Sequence, residues 1–386
     1  MFKKLRDINT PNLKCPINVN LINGKKYYKS IQEIGDFISY KFIFKINHLS
    51  DEDKKYLELY INSFNFNNTK NYNREELEKQ KSGKSTSNLS FEIYENTNSE
   101  KNAFLILDVI SKNDNPEEAI KLLKEQVNNI DFKDKKTLNE FLRIKNAFYE
   151  SASKTSLKFK DLVIAENFYK TNYLSGNRTE ENRKEFYKEF SSNIDNDEFL
   201  NNFSQKAEDI KNKVFNQNSL EGIGICASQG NQNPAISTAQ DFIKSLNGNK
   251  IADNAKLVFS TPQKKNIAFI EAAQSNGAVI CIIDSKELSH DIGFSSTCEL
   301  LNNLFLMPLV REKNGAYNAS IISDSNNDKI IISSAQDPNI RSTINIFKSI
   351  PEFIEKHEFS DEEIENASKH LLGSLFQKDK LGLSDI

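Results

Sequence analysis

The chain has 386 residues, a length that predicts two domains of ordinary size rather than one continuous core. Its 51 Lys and Arg residues nearly balance its 54 Asp and Glu residues, so the formal net charge is -3 at pH 7. No basic field attracts nucleic acid or an acidic membrane, and we expect neither as a partner.

The cysteines and the N-terminus bear on compartment. The four cysteines lie far apart without a C-x-x-C pair, at Cys15, Cys226, Cys281 and Cys298. This spacing argues against a zinc knuckle or a disulfide framework and favours free thiols in a reducing compartment. The basic N-terminal segment is followed by no apolar run, and no window approaches the ~20 apolar residues of a membrane span. We expect a soluble chain without its own signal peptide; cytoplasm and organelle matrix both remain open.

The first half of the chain predicts a strand, two helices and a β-hairpin. A strand over 37–47 precedes a helix with Ser50 as N-cap and Asp53 in the capping-box position. A second helix starts near Asn73. It leads into an alternating strand near 89–93 and the hairpin partner of that strand.

Longer helical segments complete the first half. Pro116 occupies the first position of a helix whose first turn contains two glutamates. A long helical stretch runs from Lys133 into the 170s. The charged segment 179–215 contains neither Gly nor Pro and predicts further helices that close the first domain.

The second half repeats this order of elements. After a strand that ends near Cys226 and a turn near Pro234, the pattern predicts a strand, an apolar helix, a hairpin and two closing helices, over 277–285, 294–313, 315–335 and 337–378. We predict an internal duplication: an α+β fold of two homologous β-α-β-β-α-α domains with antiparallel-rich sheets and helices packed on one face. The predicted domains are 1–215 and 216–386.

A search for catalytic motifs finds no self-sufficient set. No two of the four histidines have the spacing of an H-E-x-x-H or H-x-x-E-H zinc motif, and we predict no metal site in this chain. Cys226 lacks the G-x-S-x-G context of a nucleophile elbow, and the glycines around it match no phosphate-binding loop. Paired carboxylates such as Glu75-Glu76 fall at helix starts, where they complement the helix dipole.

The segment LVREKNGAYNAS, residues 309–320, is the remaining candidate site. Its pattern places Arg311 in the last turn of an apolar helix, Asn314-Gly315 at the helix stop and Tyr317 at the start of the next strand. The helix dipole favours an arginine near a helix C-terminus, and a tyrosine in a strand usually belongs to the core. On spacing alone, a purely structural role is the stronger explanation.

Longer segments change that balance. With LVREKNGAY, the segments DPNIRSTINIFKSIPEFI and FSDEEIENA resemble the C-terminal half of the insulinase-type inverted zinc metallopeptidases, in the presequence protease and falcilysin branch. Residues 27–64 are similar to the third domain of that branch and 115–215 to its associated helical domain, so the resemblance covers nearly the whole chain. It implies the fold called metallopeptidase LuxS/MPP-like.

The resemblance also implies a role for the chain. In that family two similar halves close around a peptide in a chamber; the N-terminal half binds zinc through H-x-x-E-H, and the zinc-free C-terminal half contributes an arginine and a tyrosine. By this resemblance Arg311 and Tyr317 bind the substrate carbonyl and oxyanion in trans to zinc, while Gly315 and Ala316 form the substrate-binding turn. The expected partners are peptide substrates and a zinc-bearing half, in the same polypeptide or a separate subunit. This chain alone is expected to be inactive.

Two other functions remain open. Asn314 and Asn318 stand where the branch usually has glycines, so a catalytically inert scaffold or assembly subunit is the main alternative. A peptide-binding module that works without catalysis, through its chamber surface and sheet edges, is a third possibility. Because a scaffold does not require Arg311 and Tyr317 at this spacing, their presence favours the half-enzyme.

Overall fold

The computed structural model describes residues 17–22, 25–31, 36–95, 101–152, 180–228, 230–251, 267–272, 275–289, 291–324 and 328–378. Over these residues the chain forms a six-stranded sheet and a four-stranded sheet, each with packed helices. The long helical stretch predicted from Lys133 is described as far as Ala152, and its continuation lies outside the described residues.

The six-stranded sheet contains a single parallel pair. Its strands lie in the order β1-β2-β6-β3-β5-β4, with β2 and β6 parallel and every other neighbouring pair antiparallel. The strand bounds are β1 Ile17–Ile22, β2 Lys25–Ile31, β3 Phe37–Lys45, β4 Ser85–Glu95, β5 Lys101–Lys112 and β6 Leu220–Ala227.

The helices that accompany this sheet begin where local sequence signals predict. Their bounds are α1 Asp51–Ser63, α2 Arg74–Lys81, α3 Pro116–Asn128, α4 Lys135–Ala152, α5 Glu180–Asn193, α6 Asp197–Val214 and α7 Gln232–Ser245. Ser50 and Asp53 form the predicted capping box of α1, and Asn73 caps α2. Pro116 is the first residue of α3.

Strand β3 lies at the centre of the first core. Tyr40, Phe42 and Phe44 alternate along it and are fully buried. The Tyr40 hydroxyl lies 2.8 Å from the hydroxyl of Thr238 on α7, and the Phe42 ring lies 4.5 Å from the Phe242 ring on the same helix. Aromatic burial with one satisfied hydroxyl therefore packs α7 onto this sheet.

The second sheet is antiparallel throughout. Its strands are β7 Ile267–Ala272, β8 Ser275–Asp284, β9 Asn318–Asp324 and β10 Lys329–Ala335, in the order β7-β8-β10-β9. The accompanying helices are α8 Lys286–Ser289, α9 Ile292–Leu301, a π-helix Asn302–Lys313, α10 Ile340–Lys348, α11 Ile350–Lys356 and α12 Asp361–Lys378. Val279, Ile330 and Ile332 of the sheet form one core with Leu306 and Val310 of the π-helix.

Both sheets repeat one strand arrangement. In each, the first strand of the repeat pairs with the second strand of the following hairpin, and the first hairpin strand lies at the edge: β3-β5-β4 and β8-β10-β9. This arrangement confirms the predicted α+β class with antiparallel-rich sheets and the repeated order of elements.

The compact units of the structure divide the chain differently from the predicted boundary at residue 215. Contacts group 13–146 with 170–260, and 261–378 with 147–169. Strand β6 follows residue 215, yet it lies between β2 and β3 of the first sheet, because its backbone pairs with both. The division into homologous domains 1–215 and 216–386 stays a prediction.

The apolar helix predicted over 294–313 changes its hydrogen-bond register at Asn302. Residues 302–313 form a π-helix that contains Pro308. Proline cannot donate the α-helical hydrogen bond, and its ring conflicts with the carbonyl four residues earlier. A wider π turn relieves this conflict, and such turns are frequent at functional sites.

Asn302 covers part of the free edge of the second sheet. Its side-chain amide donates to the carbonyl oxygen of Ile321 at 3.0 Å, and its side-chain oxygen accepts from the Ile321 N–H at 2.7 Å. Ile321 lies in the edge strand β9. The two bonds attach the start of the π-helix to the strand that follows it and occupy edge groups that another strand would otherwise bind.

We predict that Asn302→Ala lowers the free energy of unfolding by about 1 to 3 kcal/mol, since two hydrogen bonds are lost and the backbone groups of Ile321 lose their partners. Urea unfolding monitored by circular dichroism measures the change. Asn303→Ala, at the exposed neighbouring position, is the matched control and should stay within about 0.5 kcal/mol of the wild type. Equal effects of the two substitutions would contradict this role for Asn302.

The capping carboxylate Asp53 gives the first unit an acid-sensitive contact. Burial raises the pKa of the Asp53 carboxyl, but hydrogen bonds from Lys213 and Ser50 outweigh burial, and the net pKa lies below its ordinary value. Lys213 on α6 contacts both carboxylate oxygens at 2.7 and 2.8 Å. A lowered folded pKa stabilises the fold above the unfolded pKa of about 3.9, and this stabilisation is lost as the pH falls through the folded value.

We therefore predict that Asp53→Asn is less stable than the wild type at pH 7 and that this difference shrinks below about pH 4. Urea unfolding at pH 7, 5 and 3 measures it. Asp51→Asn removes an exposed carboxylate from the same first turn and should have a smaller effect at every pH. A stability difference for Asp53→Asn that does not change with pH would contradict the ionic contribution.

Candidate functional site

The predicted site residues surround one helix stop in the second unit. Arg311 is exposed in the last turn of the π-helix, and Asn314 is the C-cap residue. Gly315 has φ +77°, in the left-handed region that glycine adopts without strain. Its N–H donates to the carbonyl oxygen of Arg311 at 2.9 Å, and the Ala316 N–H donates to that of Val310 at 3.1 Å. The predicted Asn-Gly stop is confirmed.

The residues after the stop point in opposite directions. Ala316 is buried in the core beneath the sheet, whereas the Tyr317 side chain is 61% exposed. The Tyr317 N–H donates to the carbonyl oxygen of Ala335 at 3.0 Å, one residue before β9 begins. Tyr317 therefore starts the extended segment, as predicted, but is not the core residue that a purely structural role implies.

The loop 335–339, between β10 and α10, holds the other side of the turn. The side-chain amide of Asn339 donates to the carbonyl oxygen of Asn314 at 2.9 Å. Asp337 is 1% exposed and accepts hydrogen bonds from the Ser334 hydroxyl and the Asn339 N–H. Sequence reasoning missed Asp337 and Asn339 as site residues, although the Asp-Pro-Asn run before a helix was visible.

The chemistry available at this turn is hydrogen-bond donation. Arg311 offers a fork of N–H donors and Tyr317 offers a phenolic O–H, both on exposed side chains. The neighbouring Gly315 adds no side chain, and Ala316 turns its methyl group into the core. Such a surface can bind carbonyl oxygens or an oxyanion.

The first unit contains the same turn without the same side chains. Gly83 has φ +70° and follows α2 directly before the edge strand β4, as Gly315 precedes β9. Counted from the glycine, Lys79 and Ser85 take the places of Arg311 and Tyr317. The turn therefore forms without an arginine and a tyrosine at these places.

The cysteines and acidic residues assemble no comparable site in the described part of the chain. Among these residues no three His, Cys, Asp or Glu side chains come together as metal ligands. Cys226, Cys281 and Cys298 are present as thiols, and burial raises the pKa of the Cys298 thiol to about 12. Within the same residues, no helix has both the length and the apolar character that crossing a bilayer requires.

Comparisons with known proteins connect this architecture to one peptidase family. Residues 4–156 match the family model for the associated region of M16 peptidases of subfamily C. The chain is 24% identical over 322 residues to the mitochondrial presequence protease of Drosophila melanogaster, covering 80% of this chain and 30% of that protein. It is 23% identical over 389 residues to protein HypA of Clostridium perfringens, covering 97% of this chain and 38% of that protein.

Solved structures show the same fold. The peptidase M16 inactive domain from Pseudomonas fluorescens superposes with a TM-score of 0.58 at 15% identity, over 95% of this chain and 86% of that one. A protease from Helicobacter pylori gives a TM-score of 0.59 at 12% identity, with the same two coverages. The chain spans between a quarter and two fifths of the two relatives matched by sequence. The resemblance predicted from the sequence is therefore confirmed: the chain carries the associated segment of subfamily C of the M16 peptidases, is similar to presequence protease and has the fold of M16 peptidase domains.

Proposed function

We propose that this chain is the non-catalytic, substrate-binding C-terminal half of a presequence-protease-like zinc metalloendopeptidase, a peptide-degrading enzyme. The observation that carries the proposal is the pair of exposed donors, Arg311 and Tyr317, on either side of the left-handed stop at Gly315. The similarity to presequence protease over 80% of the chain supports it. The sequence contains no H-x-x-E-H motif, so the zinc belongs to a partner half.

Each donor has a role in this proposal. The zinc of the partner half supplies an activated water for attack on the peptide carbonyl. Tyr317 donates its hydroxyl hydrogen to the carbonyl oxygen as negative charge develops there, and Arg311 donates to neighbouring substrate carbonyls to fix the position of the peptide. Both side chains act from a chain that contributes no metal ligand.

A scaffold or assembly subunit is the alternative function. Asn314 and Asn318, which differ from the glycines usual in this branch, are the observation that favours it. Against it stands the corresponding turn at Gly83, which forms with Lys79 and Ser85 in these places. Since the turn itself does not require an arginine and a tyrosine, a role in binding explains their presence better.

The proposal predicts that peptide cleavage requires both halves. This chain, the matching zinc-bearing half and their mixture are tested separately with a pool of quenched fluorogenic peptides. Only the mixture should cleave. Tyr317→Phe should lower its kcat/KM tenfold or more, since loss of one oxyanion donor typically costs about 2.7 to 4 kcal/mol.

Arg311→Ala should also lower kcat/KM tenfold or more in the mixture, with part of the loss in KM because Arg311 contacts ground-state carbonyls as well. Arg143→Ala, at an exposed arginine on α4, is the matched control and should leave the rate unchanged. A mixture that is inert, or that cleaves equally well with both substitutions, would favour the scaffold.

A further inference from the structure

The turn that carries Arg311 and Tyr317 is bound at both ends by one loop. At one end, the Ala335 carbonyl oxygen accepts from the Tyr317 N–H at 3.0 Å. At the other, the Asn339 side-chain amide donates to the Asn314 carbonyl oxygen at 2.9 Å. Loop 335–339 therefore spans the turn 314–317 and limits its movement at each end.

A buried carboxylate fixes the loop itself. One oxygen of Asp337 accepts from the Ser334 hydroxyl at 2.7 Å, and the other accepts from the Asn339 N–H at 2.8 Å. The Asp337 N–H donates to the carbonyl oxygen of Gly277 at 2.7 Å, and the Ser334 hydroxyl accepts from the Val279 N–H at 3.1 Å. Through these bonds Asp337 connects the loop to β8 and β10.

Asn339 receives its orientation from this carboxylate. Its backbone N–H bonds to Asp337, and its side chain, which is exposed, reaches the last carbonyl of the π-helix. Further contacts reach the Asn314 side chain from α10: the Ser342 hydroxyl lies 3.3 Å from its oxygen and the Thr343 hydroxyl 3.5 Å from its nitrogen. The helix end is therefore held by side chains of the next helix as well as by its own backbone.

The Tyr317 side chain depends on this backbone support. With 61% of its surface exposed, it has little packing of its own to fix its position, while the transition state requires a donor placed to within a fraction of an ångström. A shift of about 1 Å at such a donor can lower a rate a hundredfold. The bonds that hold the 314–317 backbone thus control where the hydroxyl lies.

We propose that Asp337 and Asn339 are positioning residues: Asp337 orients Asn339, and Asn339 holds the turn that aims Arg311 and Tyr317 at the substrate. This inference rests on the proposed function, because it assigns the two residues a part in the same reaction. Neither residue touches substrate in this account; both act through the turn.

Asn339→Asp tests the proposal with a nearly isosteric change that removes the side-chain donor. Because residue 339 is exposed, the variant is expected to fold. In the mixture with the zinc-bearing half and the quenched fluorogenic peptide pool, kcat should fall about tenfold to a hundredfold with little change in KM. Asn345→Ala, at an exposed asparagine of α10, is the control and should leave kcat unchanged. An unchanged kcat for Asn339→Asp would overturn the proposal.

A double-variant cycle separates positioning from an independent effect. If Asn339 acts through Tyr317, then Asn339→Asp adds little to the loss that Tyr317→Phe already causes, because the hydroxyl being positioned is gone. Full multiplication of the two losses would show that Asn339 acts on something else and would overturn the proposal.

Hydrogen exchange of this chain alone supplies a readout that needs no catalysis. Asn339→Asp should speed exchange of the Gly315, Ala316 and Tyr317 amides severalfold, while exchange in β3 stays unchanged. Unchanged exchange at the turn would overturn the positioning role even if kcat fell. Faster exchange together with a wild-type mixture that cannot cleave would contradict the proposed function, and with it any catalytic part for Asp337 and Asn339.

Discussion

The left-handed backbone at Gly315 is the constraint on which the candidate site depends. It ends the π-helix and reverses the chain into the edge strand β9, so that Arg311 lies before the turn and Tyr317 after it. A residue with a side chain would adopt this conformation at a cost of about 1 to 2 kcal/mol. Ala316 then inserts into the core and fixes which side of the segment the next residue faces.

The repeat explains why this turn exists and what was added to it. Both units end a helix at a glycine with positive φ before an edge strand, near Gly83 and Gly315. Both also connect the loop after the hairpin back to the first strand: the Asn113 N–H donates to Asp36, as the Asp337 N–H donates to Gly277. The second unit differs in the donors that it presents at the turn. A shared folding solution thus supplies the frame, and residue choice at two positions supplies the chemistry.

Sequence reasoning worked where the determining interactions are local. The Ser50 capping box, the Asn73 cap, Pro116 at a helix start and the Asn314-Gly315 stop each depend on residues within one or two turns of one another, and each is confirmed. The repeated hairpins could be predicted for the same reason, because alternation and turn residues occur within short segments.

Other features depend on contacts distant in sequence. The π register of 302–313 depends in part on Asn302 reaching Ile321, and the place of β6 depends on pairing with β2 and β3. The exposure of Tyr317 could not be predicted because a tyrosine at a strand start packs inward in most folds. The hydrogen bond of Asn339 to Asn314 was missed because a polar residue before a helix is ordinarily interpreted as a cap.

The most direct test of the account is an experimental structure of this chain assembled with its zinc-bearing half around an uncleaved peptide. The account predicts that the Tyr317 hydroxyl lies about 3 Å from the carbonyl oxygen of the peptide bond at the zinc, with Arg311 donating to a nearby carbonyl of the same peptide. A complex in which other residues contact that carbonyl, and Tyr317 faces solvent, would contradict it.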